Sequence, residues 1–219
     1  MKRTTIEKLI FIAIVVGFCF ALYITPKHGK LENEPGGGKK PEENEARTIL
    51  YHGKFDQLAN NSQELETKSP IIVVAKKLSD TQHVETTEDG TPKLFYSMSK
   101  VKIIKIEKDE SKKLKIGDVI QCLEESVTNV EVDEEKVNLS LEGYRKMLQD
   151  SEYLLFLRPS TTGDNYVLTN SLLSKYAVSG EEPFDNPRDE NPISAETEKL
   201  QKSYFEIYDE LEEKYDLDR

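Results

Sequence analysis

The stretch LFYSMSKVKIIKI, residues 94–106, decides the fold class of this chain. Phe95, Ser97, Ser99, Val101 and Ile103 fall on one side of it, at the two-residue period of a strand with one buried face. The apolar set then changes sides and continues as Ile104 and Ile106. A strand long enough to switch faces, through a bulge, is characteristic of small barrels.

Outward from this strand the pattern stays β. Ile71-Ile72-Val73-Val74-Ala75 is a β-branched run expected to be covered on both faces. Lys112-Lys113-Leu114-Lys115-Ile116-Gly117-Asp118 reads as a polar turn, and Val119-Ile120-Gln121-Cys122-Leu123 as the strand after it. Residues 128–137 are acidic and admit either a loop or a ribbon. Tyr153-Leu154-Leu155-Phe156-Leu157 predicts another buried strand, stopped by Pro159. A turn at 162–165 leads into Tyr166-Val167-Leu168-Thr169, and residues 175–178 close the series.

Helices are expected around this core. Phe55, Leu58, Ala59 and Leu65 predict one over 55–66, and Leu139, Tyr144, Met147 and Leu148 a second over 140–149. After an acidic, Pro-containing connector at 181–192, Ser194 caps a third over 195–215. Leu200, Tyr204, Ile207, Tyr208, Leu211 and Tyr215 form its apolar stripe. That stripe has two readings: it packs on its own domain, or it docks a protein partner, with Tyr204, Tyr208, Leu211 and Tyr215 as the candidate partner-binding residues.

The N-terminus carries an address. Lys2, Arg3 and Lys8 against Glu7 form a cationic lead, followed from Leu9 to Ile24 by sixteen residues without a charge. As a helix this run spans about 24 Å, extended by Tyr23, Thr25 and a snorkelling Lys8. The positive flank stays inside and the rest is exported. The exit Phe20-Ala21-Leu22-Tyr23-Ile24-Thr25-Pro26 has bulky residues where signal peptidase needs small ones, and Cys19 is misplaced for lipidation. The expectation is a retained single-pass anchor at 1–25, with a cleaved signal as the alternative. A tether follows at 26–47, rich in Pro, Gly, Lys and Glu. The stretch from Thr5 to Gly17 is similar to the start of type IV pilins, which leaves a pilus-like export component as a further alternative, although Lys2-Arg3 stands at the processing site.

Composition narrows the function. The chain has 219 residues and a net charge of −11, and removing the lead's +2 leaves about −13 on the exported part. Such a surface repels nucleic acid and anionic headgroups. Lys100, Lys102 and Lys105 lie near Tyr96 but among Glu107, Asp109, Glu110, Glu124 and Glu125, and Trp is absent; single-strand binding needs a basic groove with stacking aromatics. With Cys19 in the apolar run, Cys122 has no intramolecular partner, and the expectation is a buried strand thiol.

The order of the segments SPIIVVAKKL, YSMSKVKIIKIEKDESKKLKIGDVIQCLEE and GYRKMLQDSEYLLFLRPSTTGDNYVLTNSLLSKYAV resembles small membrane-anchored extracytoplasmic domains of Gram-positive bacteria. Their layout is similar to the OB-like barrel of netrin and tissue-inhibitor-of-metalloproteinase modules, here over residues 55–179. The resemblance implies a mainly β (α+β) fold, a small OB-like antiparallel barrel with flanking helices. It does not carry inhibition, which in that family runs through an N-terminal Cys that this chain lacks. The barrel domain is expected over 48–180, with the connector and helix over 181–219.

Motifs for chemistry are sparse. His28, His52 and His83 are the three histidines, and His83-Val84-Glu85 with Glu88-Asp89 is the best metal-like cluster, short of the three or four placed ligands that zinc needs. Asp185, Asn186, Asp189, Glu190 and Asn191 offer oxygen ligands without the EF-hand spacing. No G-x-S-x-G, S-x-x-K or phosphate-binding Gly loop is present. These readings converge on an envelope binding or scaffolding module with a protein partner, no catalysis and no cofactor, held in the membrane by residues 9–24. The alternative from another class is an envelope hydrolase with an unidentified carboxylate site.

Overall fold

The computed structural model describes residues 46–55, 57–185 and 193–218. The anchor, the pilin-like start, Cys19, His28, nearly all of the tether and residues 186–192 of the connector lie outside the described residues. Among those described, no helix is long and apolar enough to cross a membrane.

In chain order the elements are β1 (Arg47–Tyr51), α1 (Ser62–Lys68), β2 (Ile71–Thr86), β3 (Pro92–Asp109), β4 (Val119–Glu124), β5 (Ser126–Val132), β6 (Glu135–Leu141), β7 (Glu152–Pro159), β8 (Tyr166–Leu168), β9 (Lys175–Ala177) and α2 (Ala195–Tyr215). A 3-10 turn at Ser171–Ser174 precedes β9. The larger sheet runs β2-β3-β4-β8-β7-β9, and β2 also pairs with β7, so five of its strands return on themselves. Its pairings are antiparallel except for a two-residue parallel contact between β4 and β8. The result is mainly β with two helices and a partly closed sheet, compatible with an OB-like barrel.

β3 accounts for the closure. Ser97, Ser99, Val101 and Ile103 are all buried, as the period predicts. The ladder to β2 then slips: Ala75 faces Ile103, Val74 faces Lys105 and Val73 faces Ile106, leaving Ile104 as an extra residue. That bulge returns Ile106 toward the core and bends the strand. β7 supplies the centre, since all five residues from Tyr153 to Leu157 are buried. Each such side chain contributes about 1.5–3 kcal/mol of hydrophobic stabilisation.

Two expected helices come out differently. The first begins only at Ser62, because Asn61 caps it there: its Oδ1 accepts from the Glu64 amide at 2.8 Å. The second, over 140–149, is absent. β6 runs on to Leu141, and Glu142 and Gly143 then take positive φ of 51° and 80°, which an α-helix does not accept. Tyr144 and Met147 are buried at three-residue spacing for another reason, since both bind the same carboxylate, Glu124. The ambiguous stretch 128–137 is a ribbon. β5 and β6 pair as a hairpin turning at Asp133 and Glu134, both at positive φ, the geometry of a type I′ turn. β1 adds to β6 in parallel, and Tyr51, Val127, Val137, Leu139 and Leu141 make a second, smaller core.

α2 closes one side of the barrel. Tyr204, Ile207, Tyr208 and Leu211 belong to the main core. Ser194 caps the helix by accepting from the Thr197 amide at 3.1 Å. Thr197 also donates to the buried Glu142, whose Oε2 lies 3.1 Å from His52 Nδ1, tying the helix start to the segment after β1.

Candidate functional site

The sequence places polar residues on the inward side of two barrel strands: Ser97 and Ser99 on β3, and Glu124 two residues beyond Cys122 on β4. Ser97 donates to the Ser126 carbonyl at 2.6 Å, while Ser99 and Glu124 meet Lys77 of β2. Its Nζ donates to Glu124 Oε1 at 2.9 Å, and Ser99 donates to the same oxygen. Glu124 Oε2 accepts from Tyr144 Oη at 2.9 Å and from the Met147 amide at 2.7 Å. Burial pushes this carboxyl up, but the charges of Lys77 and Lys175 and these hydrogen bonds outweigh it and hold it below the ordinary carboxylate range. Both oxygens are fully used, so nothing is left to take a proton from a substrate. The cluster holds β2, β3, β4 and the 142–148 segment together. Its sequence signal was available in the inward parity of Ile120, Cys122 and Glu124.

Lys175 of β9 stands beside it, buried, with its ammonium 4.2 Å from the Tyr144 ring centroid and donating to the Arg145 carbonyl. Burial brings it down to about 8, against the pull of Glu124. Cys122 is wholly buried, and burial pushes its thiol well up.

An open cleft among the described residues lies on the other side of this cluster. A cleft of about 190 Å³ sits between the end of β9 and α2, lined by Ala177, Gly180, Glu181, Glu182, Pro183, Tyr204, Phe205 and Tyr208. Its floor is aromatic and closely packed. Tyr204 stacks on Tyr176 at 4.7 Å between centroids, meets Phe184 edge-on at 5.0 Å, and has Phe205 at 5.5 Å. Tyr208 Oη donates to the Asp218 carbonyl at 2.9 Å, and the Gly180 amide donates to that same oxygen at 2.7 Å, so the end of the chain braces the wall. Glu181 accepts from Tyr153 Oη, which fixes one carboxylate at the rim beside Glu182. A smaller hollow behind Tyr204 reaches Arg145, Lys146 and Lys175.

Of the four candidate residues on the tail helix, the structure brings Tyr204 and Tyr208 to the cleft and leaves the other two elsewhere. Leu211 is fully buried in the core. Tyr215 is half-buried, its hydroxyl donating to Glu66 at 3.0 Å and its ring edge-on to Phe156. The stripe as a whole packs on its own domain. Glu181, Glu182 and Phe205 were missed, because the connector read only as solvated acid and Phe205 lies off the stripe.

His83 lies within β2; its ring is tilted against Tyr96 at 4.9 Å between centroids, and Nε2 sits 3.2 Å from Glu85. Among the described residues no three His, Cys, Asp or Glu side chains converge where a metal could sit. Compared with known proteins, the chain matches no family model, and no curated protein matches its sequence.

Proposed function

We propose that this chain is a binding module of the cell envelope, held at the membrane by residues 9–24, whose OB-like barrel presents the α2 cleft to a protein partner. The domain belongs in this reading with the Gram-positive extracytoplasmic modules that its segments resemble. The observation that carries the proposal is the cleft itself: aromatic rings in the floor and two carboxylates, Glu181 and Glu182, at the rim. Carboxylates pair with a cation and the rings pack against its aliphatic stem, so the site suits a Lys or Arg side chain of the partner. Its volume supports side-chain capture over catalysis, because about 190 Å³ falls below the roughly 300–1,000 Å³ of small-molecule sites.

A fluorescent peptide of alternating Lys and Leu, set against its Glu/Leu counterpart, tests this with the full chain in detergent. The basic peptide should bind, and the double change Glu181→Gln, Glu182→Gln should weaken it about tenfold or more. Removing the same charge from the exposed start of α2, with Glu196→Gln and Glu198→Gln, should change affinity less than twofold. Equal losses in the two double variants would reduce the effect to net charge and remove the cleft from the account.

A further inference from the structure

A net charge of −11 hides a local reversal. Residues 100–119, which join the second half of β3 to the start of β4, hold seven lysines and four acidic residues. All four acids are engaged at short range. Asp109 accepts from the Ser111 and Leu114 amides at 3.0 and 2.9 Å, and Asp118 from the Lys115 amide at 2.8 Å. Glu107 pairs with Lys105 at 2.7 Å and Glu110 with Lys108 at 2.9 Å. Lys100, Lys102, Lys112, Lys113 and Lys115 are exposed and form no ion pair with any described residue.

The same end of the barrel carries exposed aliphatics. Five large hydrophobic residues are exposed among those described, and three are here: Ile104 at 37%, Val119 at 53% and Ile116 at 71%. The backbone keeps them together. Gly117 N donates to Ile103 O at 2.8 Å and Ile103 N to Asp118 O at 2.9 Å, while Val119 is the cross-strand partner of Lys102. Ile104 is exposed because it is the bulge residue.

We propose that this lysine-ringed aliphatic tip docks on an anionic lipid surface. Aliphatic side chains enter the acyl boundary, long lysine stems let their ammonium groups stay at the phosphates, and attraction to anionic lipid adds to apolar burial. Single-stranded nucleic acid would call for stacking rings, and the exposed apolar side chains here are Ile and Val. The proposal uses neither the cleft nor the apolar run 9–24. It runs against the expectation, drawn from net charge, that the exported part repels anionic headgroups.

Lysine acetylation read by mass spectrometry tests it on the full chain, mixed with vesicles of phosphatidylcholine alone or with phosphatidylglycerol added. Any insertion through residues 9–24 is common to both, so the difference reports the tip. Lys112, Lys113 and Lys115 should label about threefold or more slowly with the anionic lipid, and high salt should remove most of that protection. Lys93, at the opposite end of β3, should label equally in both. Ile116→Glu, at a side chain that packs on nothing essential to the fold, should abolish the protection. Equal labelling in the two vesicles would overturn the proposal. So would protection by soluble polyglutamate with none by anionic vesicles, which would assign the tip to an acidic polypeptide.

Discussion

Glu124 is the residue on which the barrel interior turns. Its carboxylate is completely buried and accepts from three side chains and one backbone amide. Glu124→Gln would leave the Lys77 ammonium, 1% exposed, without its counter-charge. Breaking a buried pair from one side costs about 3–5 kcal/mol, most of it the stranded charge. The variant should show that loss as a lowered urea midpoint. Adding Lys77→Met to it should recover much of the loss, because the uncompensated charge then disappears. A single variant as stable as the parent would mean that Lys77 finds Asp80, 3.4 Å away, as an adequate substitute.

At the scale of elements, α2 belongs to the core. Leu211 is fully buried there, so Leu211→Ala should destabilise the domain by about 2–5 kcal/mol in a denaturant titration. Peptide binding at the cleft should survive in the folded fraction. An unchanged midpoint would instead place the stripe on a docking face. The two-residue period of β3 and the continuous apolar run of β7 were legible in the sequence because each is a one-dimensional pattern, the first of a strand with one buried face and the second of a strand covered on both. The stripe of α2 was legible as a stripe, while its destination was not, since a helix face looks the same whether it covers its own barrel or another protein. Residues 140–149 misled for a related reason. The spacing of Tyr144 and Met147 is set by one distant carboxylate, and a contact across the chain leaves no local signature. The cleft was illegible because its acids come from a connector whose composition signals only solvation, and its rings from a helix far along the chain. The tip at 110–118 was visible as a run of lysines, but which of the neighbouring lysines are taken up in ion pairs and which are left over could be read only from the structure.

For the whole molecule, the buried ionisable groups set the pH response. Lys175 ionises near 8 in the folded protein against an ordinary value of 10.5. Between those values the unfolded chain holds a proton that the native state has released, so the contribution of Lys175 to stability rises with pH, by on the order of 3 kcal/mol across the window. Burial holds the hydroxyls of Tyr144, Tyr176 and Tyr204 well above 10. Above pH 10 the unfolded chain loses those protons first, and stability falls. At the acid end Glu124 acts in the opposite direction to the tyrosines: its carboxyl is depressed when folded, so its contribution is present above about 4.5 and is lost as pH falls below. The Cys122 thiol, also raised by burial, offsets this gain above about pH 9, so the melting temperature should climb from pH 7.5 to about 9, level off, and drop beyond 10. The climb should shrink in Lys175→Met. A flat profile in the parent would show that Lys175 keeps its proton to higher pH through Glu124.

The parallel ladder of β1 on β6 has a mechanical consequence. Five consecutive parallel pairs, Arg47 with Val137 through Tyr51 with Leu141, put the start of β1 and the end of β6, where the chain continues into 142–148, at opposite ends of the ladder. A pull applied through Ala46 therefore runs along the ladder and not across it. Its bonds bear the load in shear and must break together, where a hairpin pulled from its open end would unzip one pair at a time. The segment at which force from the N-terminal side first reaches the domain is thus arranged as a clamp.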